Sequence, residues 1–280
     1  MRFAITGTDR YIGVFNGLLE AGWQPVKLFT VPVDNRIFFN RNMIECAERS
    51  GAGVQMSRLR QDDLVDLAAR GCQALVVASY NWRIPDWRPF LPYAVNFHPS
   101  PLPIGRGPMP LVQAILDGHR TWGVSCHKLE HAFDAGDVLA QEVFPVQEGD
   151  GFDVLDLRLQ LATKRLARRV ADGFQDLWRD AVPQSEGSYW RHWSDADRTL
   201  DFGQSVAHLL RQIRAFGPYE VLAQVKGVLI HVRRANGWEE AHGRPPGELF
   251  HVSGNTLLMT VRDGFVALLE WSLVAPGDRI

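Results

Sequence analysis

Two polar side chains that suit acyl transfer, Asn96 and His98, stand directly after the apolar residues Ala94 and Val95. A histidine moves protons near neutral pH, because the usual pKa of its imidazole is about 6.5. An asparagine amide can donate a hydrogen bond to an oxyanion. A carboxylate follows on the turn that begins at Asp134, and it could orient and charge the histidine. Together these side-chain types favour acyl transfer with general acid and base catalysis.

The segment that carries the pair predicts their geometry. If residues 94–98 form a strand, alternation places Asn96 and His98 on one face and Phe97 on the other. The prolines at positions 99, 101 and 103 remove backbone donors and keep the chain extended, so the strand is expected to end there. The 38 residues that separate Asn96 from Asp134 suffice for a helix and a further strand to return the carboxylate to the pair.

This part of the chain resembles the folate-dependent formyltransferases, a family that includes methionyl-tRNA formyltransferase, nucleotide-sugar N-formyltransferase and glycinamide ribonucleotide transformylase. The family motif is Asn-x-His-Pro-Ser, then Leu-Pro, Arg-Gly and Pro, and finally Asp-x-Gly-Asp. The matching residues here are Asn96, His98, Pro99, Ser100, Leu102, Pro103, Arg106, Gly107, Pro110 and residues 134–137. The resemblance covers nearly all 280 residues and is strongest before residue 150.

The resemblance implies an enzyme, an N10-formyltetrahydrofolate-dependent N-formyltransferase, and a role for each site residue. It implies that Asn96, His98 and Asp134 are catalytic, and it selects Asp134 over Asp137, a choice that the turn alone leaves open. Residues 75–85 resemble the family strand and loop that line the folate site. The residues expected to bind the folate are Trp82, Ile84, Pro85, Leu102 and Asp137. The residues expected to bind the acceptor are Ser100, Arg106 and Gly107.

Several of these residues also have a purely structural interpretation. Without the family motif, His98 would be read as a buried histidine and Asn96 as a turn residue. Trp82 either stacks on a pterin ring or covers the sheet edge. His127 and His131 stand four apart, which would suggest a metal site on a helix. That segment reads as a strand end with no third ligand placed nearby, so no metal is expected.

The composition is typical of a water-soluble protein, with 46% hydrophobic and 22% charged residues. No segment approaches the roughly 20 apolar residues of a membrane span, and the first residues show no signal-peptide pattern. The cysteines at 46, 72 and 126 are scattered, with neither disulfide nor metal spacing. We expect a cytoplasmic protein with no membrane partner. The sequence leaves a homodimer open.

Strand-like and helical patterns alternate over the first half of the chain, which predicts an α/β fold: a Rossmann-like catalytic domain with a mainly parallel sheet. Ligands of such sheets bind at the carboxyl ends of the strands. A long amphipathic helix is predicted over 154–178. The polar stretch 183–198 predicts a linker between a catalytic domain over 1–182 and a second domain over 199–280. Hairpin signals at 226–227, 253–255 and 263–264 predict a small, OB-like β-barrel there.

The charge pattern favours a small-molecule acceptor. The net charge is −2, and a predicted helix carries the best basic cluster together with acidic residues, as a solvated face would. The tRNA enzymes that the chain resembles carry a loop rich in Lys and Arg in the region that corresponds to residues 30–56 here. In this chain residues 31–42 contain Arg36 and Arg41 but no basic run, which weakens the case for phosphate contacts. We expect a nucleotide-linked amino sugar. The alternatives are methionyl-tRNA, an amino-acid or siderophore precursor and, in a different class, a non-catalytic folate-binding module.

Overall fold

The computed structural model describes residues 1–275. Its strands are β1 (Arg2–Gly7), β2 (Gln24–Phe29), β3 (Gly53–Gln55), β4 (Ala74–Ala78), β5 (Tyr93–His98), β6 (Thr121–Lys128), β7 (Val138–Pro145), β8 (Val221–Val225), β9 (Val228–Glu239), β10 (Leu249–Ser253), β11 (Thr256–Val261) and β12 (Gly264–Leu273). Its α-helices are α1 (Ile12–Glu20), α2 (Arg41–Arg49), α3 (Gln61–Ala69), α4 (Pro110–Leu116), α5 (Phe152–Asp172), α6 (Phe174–Arg179) and α7 (Val206–Phe216).

Contacts within the chain define two units. The N-terminal unit comprises Met1–Pro110, Thr121–Pro145 and Leu157–Trp190, and the C-terminal unit comprises Leu111–Arg120, Val146–Asp156 and the chain from Arg191 on. The domain boundaries predicted from the sequence, with a linker over 183–198, stay a prediction.

The N-terminal unit is built on a seven-stranded sheet with the order β3-β2-β1-β4-β5-β6-β7. The first five strands in this order are parallel to one another, whereas β6 and β7 are antiparallel to their neighbours. Every residue of β4 is buried, as expected of a parallel strand whose two faces are both covered. The predicted Rossmann-like, mainly parallel sheet is therefore confirmed, and β5 lies at the boundary between its parallel and antiparallel parts.

Two details of this unit differ from the predicted elements. The helix predicted over 154–178 is interrupted at Gly173, whose backbone leaves the helical region before α6 begins. Glycine costs about 1 kcal/mol in a helix interior, so a break at this position is cheap. Strand β3 was not predicted, because its three residues are too few to show an alternating pattern.

The C-terminal unit contains a five-stranded antiparallel sheet with the order β10-β11-β12-β9-β8. This arrangement confirms the β-rich character predicted for the second domain. The turn predicted at Lys226 and Gly227 joins β8 to β9, and both residues have positive φ, as a two-residue hairpin turn requires. Helix α7 buries Leu209 and Ile213. Among residues 1–275, none of the helices combines the length and the apolar character that a bilayer crossing requires.

Candidate active site

The candidate site lies at the carboxyl end of β5. Strand β5 runs parallel to β4, with Asn96 next to Val77. Its ladder stops after His98, where the chain enters the proline-rich segment and the Ser100 N–H donates to the His98 carbonyl at 2.9 Å. Asn96 is half-buried and the His98 side chain is 6% exposed. The side chains of Asn96 and His98 both reach Asp134, so the alternation predicted for this strand does place them together.

Asp134 lies on the turn between β6 and β7 and completes the set. Its Oδ1 accepts a hydrogen bond from Asn96 Nδ2 at 3.2 Å and lies 3.3 Å from His98 Nδ1. Its Oδ2 accepts from the Gly107 N–H at 2.9 Å. The backbone of Asp134 has a φ of 55°, a conformation that Asp adopts more readily than most residues. The turn therefore presents an oriented, largely buried carboxylate to the histidine.

Burial and local charge shift the pKa values of the His98–Asp134 pair. Burial lowers the pKa of the His98 imidazole below 6.5 and outweighs the opposing effects of Asp134 and the Gly105 carbonyl. Burial alone would raise the pKa of Asp134, but His127, His98 and the Gly107 N–H outweigh it and lower that pKa to about 2. Asp134 is therefore ionised at neutral pH, and a proton on His98 is held weakly enough to be given up.

The two ring nitrogens of His98 have different partners. Nε2 donates to the Gly105 carbonyl at 2.8 Å, which fixes a proton on that nitrogen. Nδ1 faces the Asp134 carboxylate at 3.3 Å and is the nitrogen that can gain or lose a proton. A protonated Nδ1 would donate toward Asp134, and Asp134 thereby stabilises the imidazolium.

His127 is a member of the site that the sequence reasoning missed. In the antiparallel register of β5 and β6 it lies opposite Asn96, and its side chain is 1% exposed. Its Nδ1 donates to the Lys128 carbonyl at 2.8 Å, and its Nε2 lies 3.1 Å from Asn96 Nδ2 and 3.7 Å from Asp134 Oδ1. Pairing of the two strands, had it been assumed, would have placed His127 on the face of Asn96.

The Asn96 amide is engaged inside the site. Its Nδ2 lies within hydrogen-bond distance of Asp134 Oδ1 and of His127 Nε2, and these two contacts use both amide hydrogens. An ionised carboxylate only accepts hydrogen bonds, so the nitrogen of the amide must face Asp134. The amide therefore has to exchange one of these contacts before it can donate to a reacting group.

The loop formed by residues 103–107 is covered by residues 184–190, a segment that we call the strap. Ser188 Oγ accepts from the Gly105 N–H at 2.8 Å, and the Trp190 N–H donates to the Arg106 carbonyl at 2.7 Å. At Gly107 the two segments are so close that a Cβ atom would lie 2.1 Å from the Trp190 carbonyl oxygen. The strap, part of the predicted linker, thus holds the loop whose Gly105 and Gly107 contact the candidate catalytic side chains.

The residues predicted to bind the acceptor lie around this loop. Ser100 is fully buried, and its carbonyl accepts from Ser125 Oγ at 2.6 Å. The Arg106 guanidinium donates to Gln184 Oε1 and to the Ser185 carbonyl, each at 3.0 Å. Gly107 uses its N–H on Asp134. These contacts give all three residues structural roles, and their direct contact with an acceptor stays a prediction.

The residues predicted to bind the folate fall into two groups. Trp82, Ile84 and Pro85 are half-buried in the segment after β4, where the rings of Tyr80 and Trp82 meet edge to face at 5.3 Å. This apolar surface, next to the end of β4, fits an aromatic heterocycle. Leu102 is 4% exposed, and Asp137 forms an ion pair of 3.0 Å with Lys128. Contact of any of these five residues with folate stays a prediction.

The two histidines considered as metal ligands, His127 and His131, lie in different environments. His127 is buried within the site, whereas His131 is exposed and contacts Arg88. Over residues 1–275, no group of three or more His, Cys, Asp or Glu side chains is arranged to hold a metal ion.

Sequence comparison assigns most of the chain to one family. Residues 40–170 match the family described as Formyl transferase, and residues 193–274 match the description Formyl transferase, C-terminal domain. The methionyl-tRNA formyltransferase of Dechloromonas aromatica is 30% identical over 220 residues, which cover 76% of this chain and 69% of that protein. The same enzyme of Anaplasma marginale is 31% identical over 147 residues, 52% of this chain and 48% of that protein.

Two solved structures share the fold. HypX from Aquifex aeolicus in complex with tetrahydrofolic acid superposes with a TM-score of 0.67 at 21% identity, over 97% of this chain. An N-formyltransferase from Helicobacter canadensis in complex with folinic acid and dTDP-3-aminofucose superposes with a TM-score of 0.68 at 17% identity, over 96% of this chain and 99% of that one. The chain spans 44% of HypX. At identities of 21% and 17%, the two superpositions show a shared fold alone.

Proposed function

We propose, from the premise that the chain belongs to the formyltransferase family, that it transfers a formyl group from N10-formyltetrahydrofolate to the primary amine of a nucleotide-linked amino sugar. The observation that carries formyl transfer is the convergence of Asn96, His98 and Asp134 at the carboxyl end of β5. We also propose a cytoplasmic location, which fits three buried free cysteines.

The residues of the site supply proton transfer and electrostatic stabilisation. As the amine attacks the formyl carbon, negative charge develops on the formyl oxygen. The new C–N bond is completed when the amine loses a proton, the bond between the formyl carbon and the folate nitrogen breaks, and the folate nitrogen takes up a proton. Since Nε2 is occupied by Gly105, the proton would come from Nδ1, whose single hydrogen would have to turn from Asp134 toward the formyl oxygen or the leaving folate nitrogen. Asp134 stabilises the imidazolium and orients the ring. No covalent intermediate on the protein is required, and the folate brings the formyl group.

The Asn96 amide takes part by exchange of its hydrogen bonds. Both of its hydrogens point to Asp134 and His127, so donation to the oxyanion requires one of those contacts to open. The hydrogen bond to His127 is the one more easily given up. Asn96 would exchange it for a stronger bond to the negatively charged oxyanion and would keep its bond to the Asp134 carboxylate. Loss of one oxyanion donor costs about 3 kcal/mol of transition-state stabilisation in other enzymes.

The charge distribution supports a small-molecule acceptor. The best basic cluster of the sequence lies on α5, and its members are engaged within the protein. Lys164 pairs with Glu20 at 2.9 Å, Arg165 bonds to Glu142 at 2.6 Å, and Arg168 pairs with Asp172 at 3.1 Å. Phosphate contacts dominate the affinity of proteins for nucleic acids. The neighbouring carboxylates offset the positive charge that this cluster would present to an RNA backbone.

The first residue of α2 and the segment before this helix give the same indication. Arg41 pairs with Glu45 at 2.8 Å, and Asp34 Oδ1 accepts three backbone N–H bonds from residues 36–38. These bonds lower the pKa of Asp34 below its usual value, and the ionised carboxylate adds a negative charge to this loop at neutral pH. The Helicobacter protein of the same fold, which binds dTDP-3-aminofucose, is an example of the acceptor class that we propose.

A methionyl-tRNA acceptor is the second candidate, and the sequence relatives favour it. The proteins that match at 30% and 31% identity are methionyl-tRNA formyltransferases, and residues 193–274 match the family's C-terminal domain. An amine of an amino-acid or siderophore precursor is a further alternative. A non-catalytic folate-binding module would not require the oriented Asn96–His98–Asp134 set.

An acceptor screen tests the proposal. Purified protein is incubated with N10-formyltetrahydrofolate that carries a labelled formyl group and, in parallel, with dTDP-linked amino sugars, methionyl-tRNA and free amino acids. We expect labelled N-formyl sugar nucleotide. Transfer to methionyl-tRNA alone would replace the amino sugar by the second candidate, and binding of the folate without transfer to any acceptor would favour the non-catalytic module.

A further inference from the structure

The side chain of Gln184 connects the two backbone segments that hold the candidate catalytic pair. Its Nε2 donates to the carbonyls of Asp134 at 2.9 Å and Gly136 at 2.7 Å. Its Oε1 accepts from Arg106 Nε at 3.0 Å. The amide thus makes three hydrogen bonds of good length, two to the Asp134 turn and one to the loop of residues 103–107.

Both segments set the position of the reacting groups. The loop of residues 103–107 fixes His98 through the Gly105 carbonyl and Asp134 through the Gly107 N–H. The turn of residues 134–136 carries the carboxylate itself, with the backbone of Asp134 in the left-handed region. That conformation needs support from its surroundings, and the two bonds from Gln184 to carbonyls of the turn supply it.

Gln184 lies between the two segments that match the formyltransferase family, since one match ends at residue 170 and the other begins at residue 193. It is on the strap, within the stretch 183–198 that the sequence predicts to be a linker. We propose that Gln184 is a positioning residue for formyl transfer: it keeps the Asp134 turn and the Arg106 loop in register, so that the Asp134 carboxylate stays opposite His98. This inference rests on the proposed function.

A nearly isosteric apolar variant tests this role. Gln184→Met keeps the length of the side chain and removes all three hydrogen bonds. We expect kcat for formyl transfer to fall about 10- to 100-fold, with the KM values of donor and acceptor nearly unchanged. Losses of this size are typical when a catalytic group is displaced by about 1 Å or loses a supporting hydrogen bond. The matched control is Glu186→Gln, an exposed residue of the same strap, which should keep the wild-type kcat.

The pH profile separates positioning from a merely structural role. Asp134 raises the pKa of His98 against the effect of burial, so a carboxylate that drifts away lets that pKa fall further. In Gln184→Met the high-pH limb of kcat should therefore move to lower pH, whereas in Glu186→Gln it should not. Should Gln184→Met fail to fold, Gln184→Ala removes the same three hydrogen bonds without adding a charge and should show the same changes.

The outcomes are distinguishable. A folded Gln184 variant with wild-type kcat and an unshifted pH profile overturns this inference alone, provided that the wild type is active. A lower yield of folded protein with unchanged kcat per folded molecule overturns it too, because that result shows a structural role. Absence of formyl transfer by the wild type removes the proposed function and this inference with it.

Discussion

The Asp134 carboxylate lies 3.3 Å from Nδ1 of His98, while the opposite ring nitrogen donates to the Gly105 carbonyl at 2.8 Å. One imidazole is thereby held between a charged acceptor and a neutral one. Because the neutral acceptor fixes the proton on Nε2, chemistry is left to Nδ1. Burial lowers the pKa of the His98 imidazole, and the ionised Asp134 opposes that effect.

The first prediction concerns stability in acid. The pKa of Asp134 falls from 3.8 to about 2 on folding. A lowered carboxyl pKa stabilises the folded state above the unfolded pKa, and this contribution, about 2 kcal/mol, is lost as the pH falls from about 4 to about 2. The difference in free energy of unfolding between wild type and Asp134→Asn should narrow by that amount over this interval, as measured by denaturant unfolding at each pH. A constant difference would contradict the assignment.

The second prediction concerns milder acidification. The pKa of His98 is below 6.5 in the folded state, so below pH 6.5 the unfolded chain binds a proton that the folded protein binds less readily. The wild type should therefore lose stability as the pH falls from 6.5, and His98→Gln should lose less over the same range. Thermal unfolding at a series of pH values measures both proteins. Parallel curves would show that His98 does not change its proton affinity on folding.

The third prediction concerns the contact between strap and loop. Gly107 has a φ of 108°, and a Cβ there would meet the Trp190 carbonyl oxygen at 2.1 Å. Gly107→Ala should lower the free energy of unfolding by about 2 kcal/mol or more, because both the backbone strain and the steric clash oppose the native state. Gly149→Ala is the matched control, since a Cβ at that position meets nothing within 4 Å. Equal stability of the two variants would contradict the close approach of strap and loop.

The fourth prediction concerns the salt dependence of the acceptor. A sugar nucleotide presents few phosphates, so raising the salt from 50 to 200 mM should increase its KM by about tenfold or less. A tRNA that makes six or more phosphate contacts would lose about a thousandfold or more in affinity over the same range. Steady-state kinetics with the acceptor identified in the screen decides between them. A steep dependence would contradict a small-molecule acceptor.

The sequence predicted the local parts of the site well. The position of Asn96 and His98 at a strand end follows from an apolar run that stops at prolines, and that strand lies within one residue of its predicted start. The motif then connects Asp134 to the pair across a separation of 38 residues. Nothing in the local pattern of residues 134–137 gives this connection, which depends on the pairing of β5, β6 and β7.

Contacts between distant segments were not predictable in the same way. His127 enters the site through the antiparallel register of β5 and β6, and a pattern that shows a strand does not show its partner. Gln184 lies in a polar stretch whose composition is typical of linkers. Its side-chain amide nevertheless donates a hydrogen bond to the carbonyl of Asp134, 50 residues earlier in the chain. Polar side chains that donate hydrogen bonds to main-chain carbonyls produce no periodic pattern in the sequence, so such a role is seen only in the folded chain.

Formyl transfer by the wild type and by His98→Ala tests the central claim most directly. With labelled N10-formyltetrahydrofolate and the preferred acceptor, we expect the wild type to form N-formyl product and kcat of His98→Ala to fall about 100-fold or more, since general acid–base groups typically contribute 100- to 10,000-fold. His131→Ala, which changes an exposed histidine outside the catalytic set, should keep the wild-type rate. Comparable rates in wild type and His98→Ala would contradict the catalytic assignment.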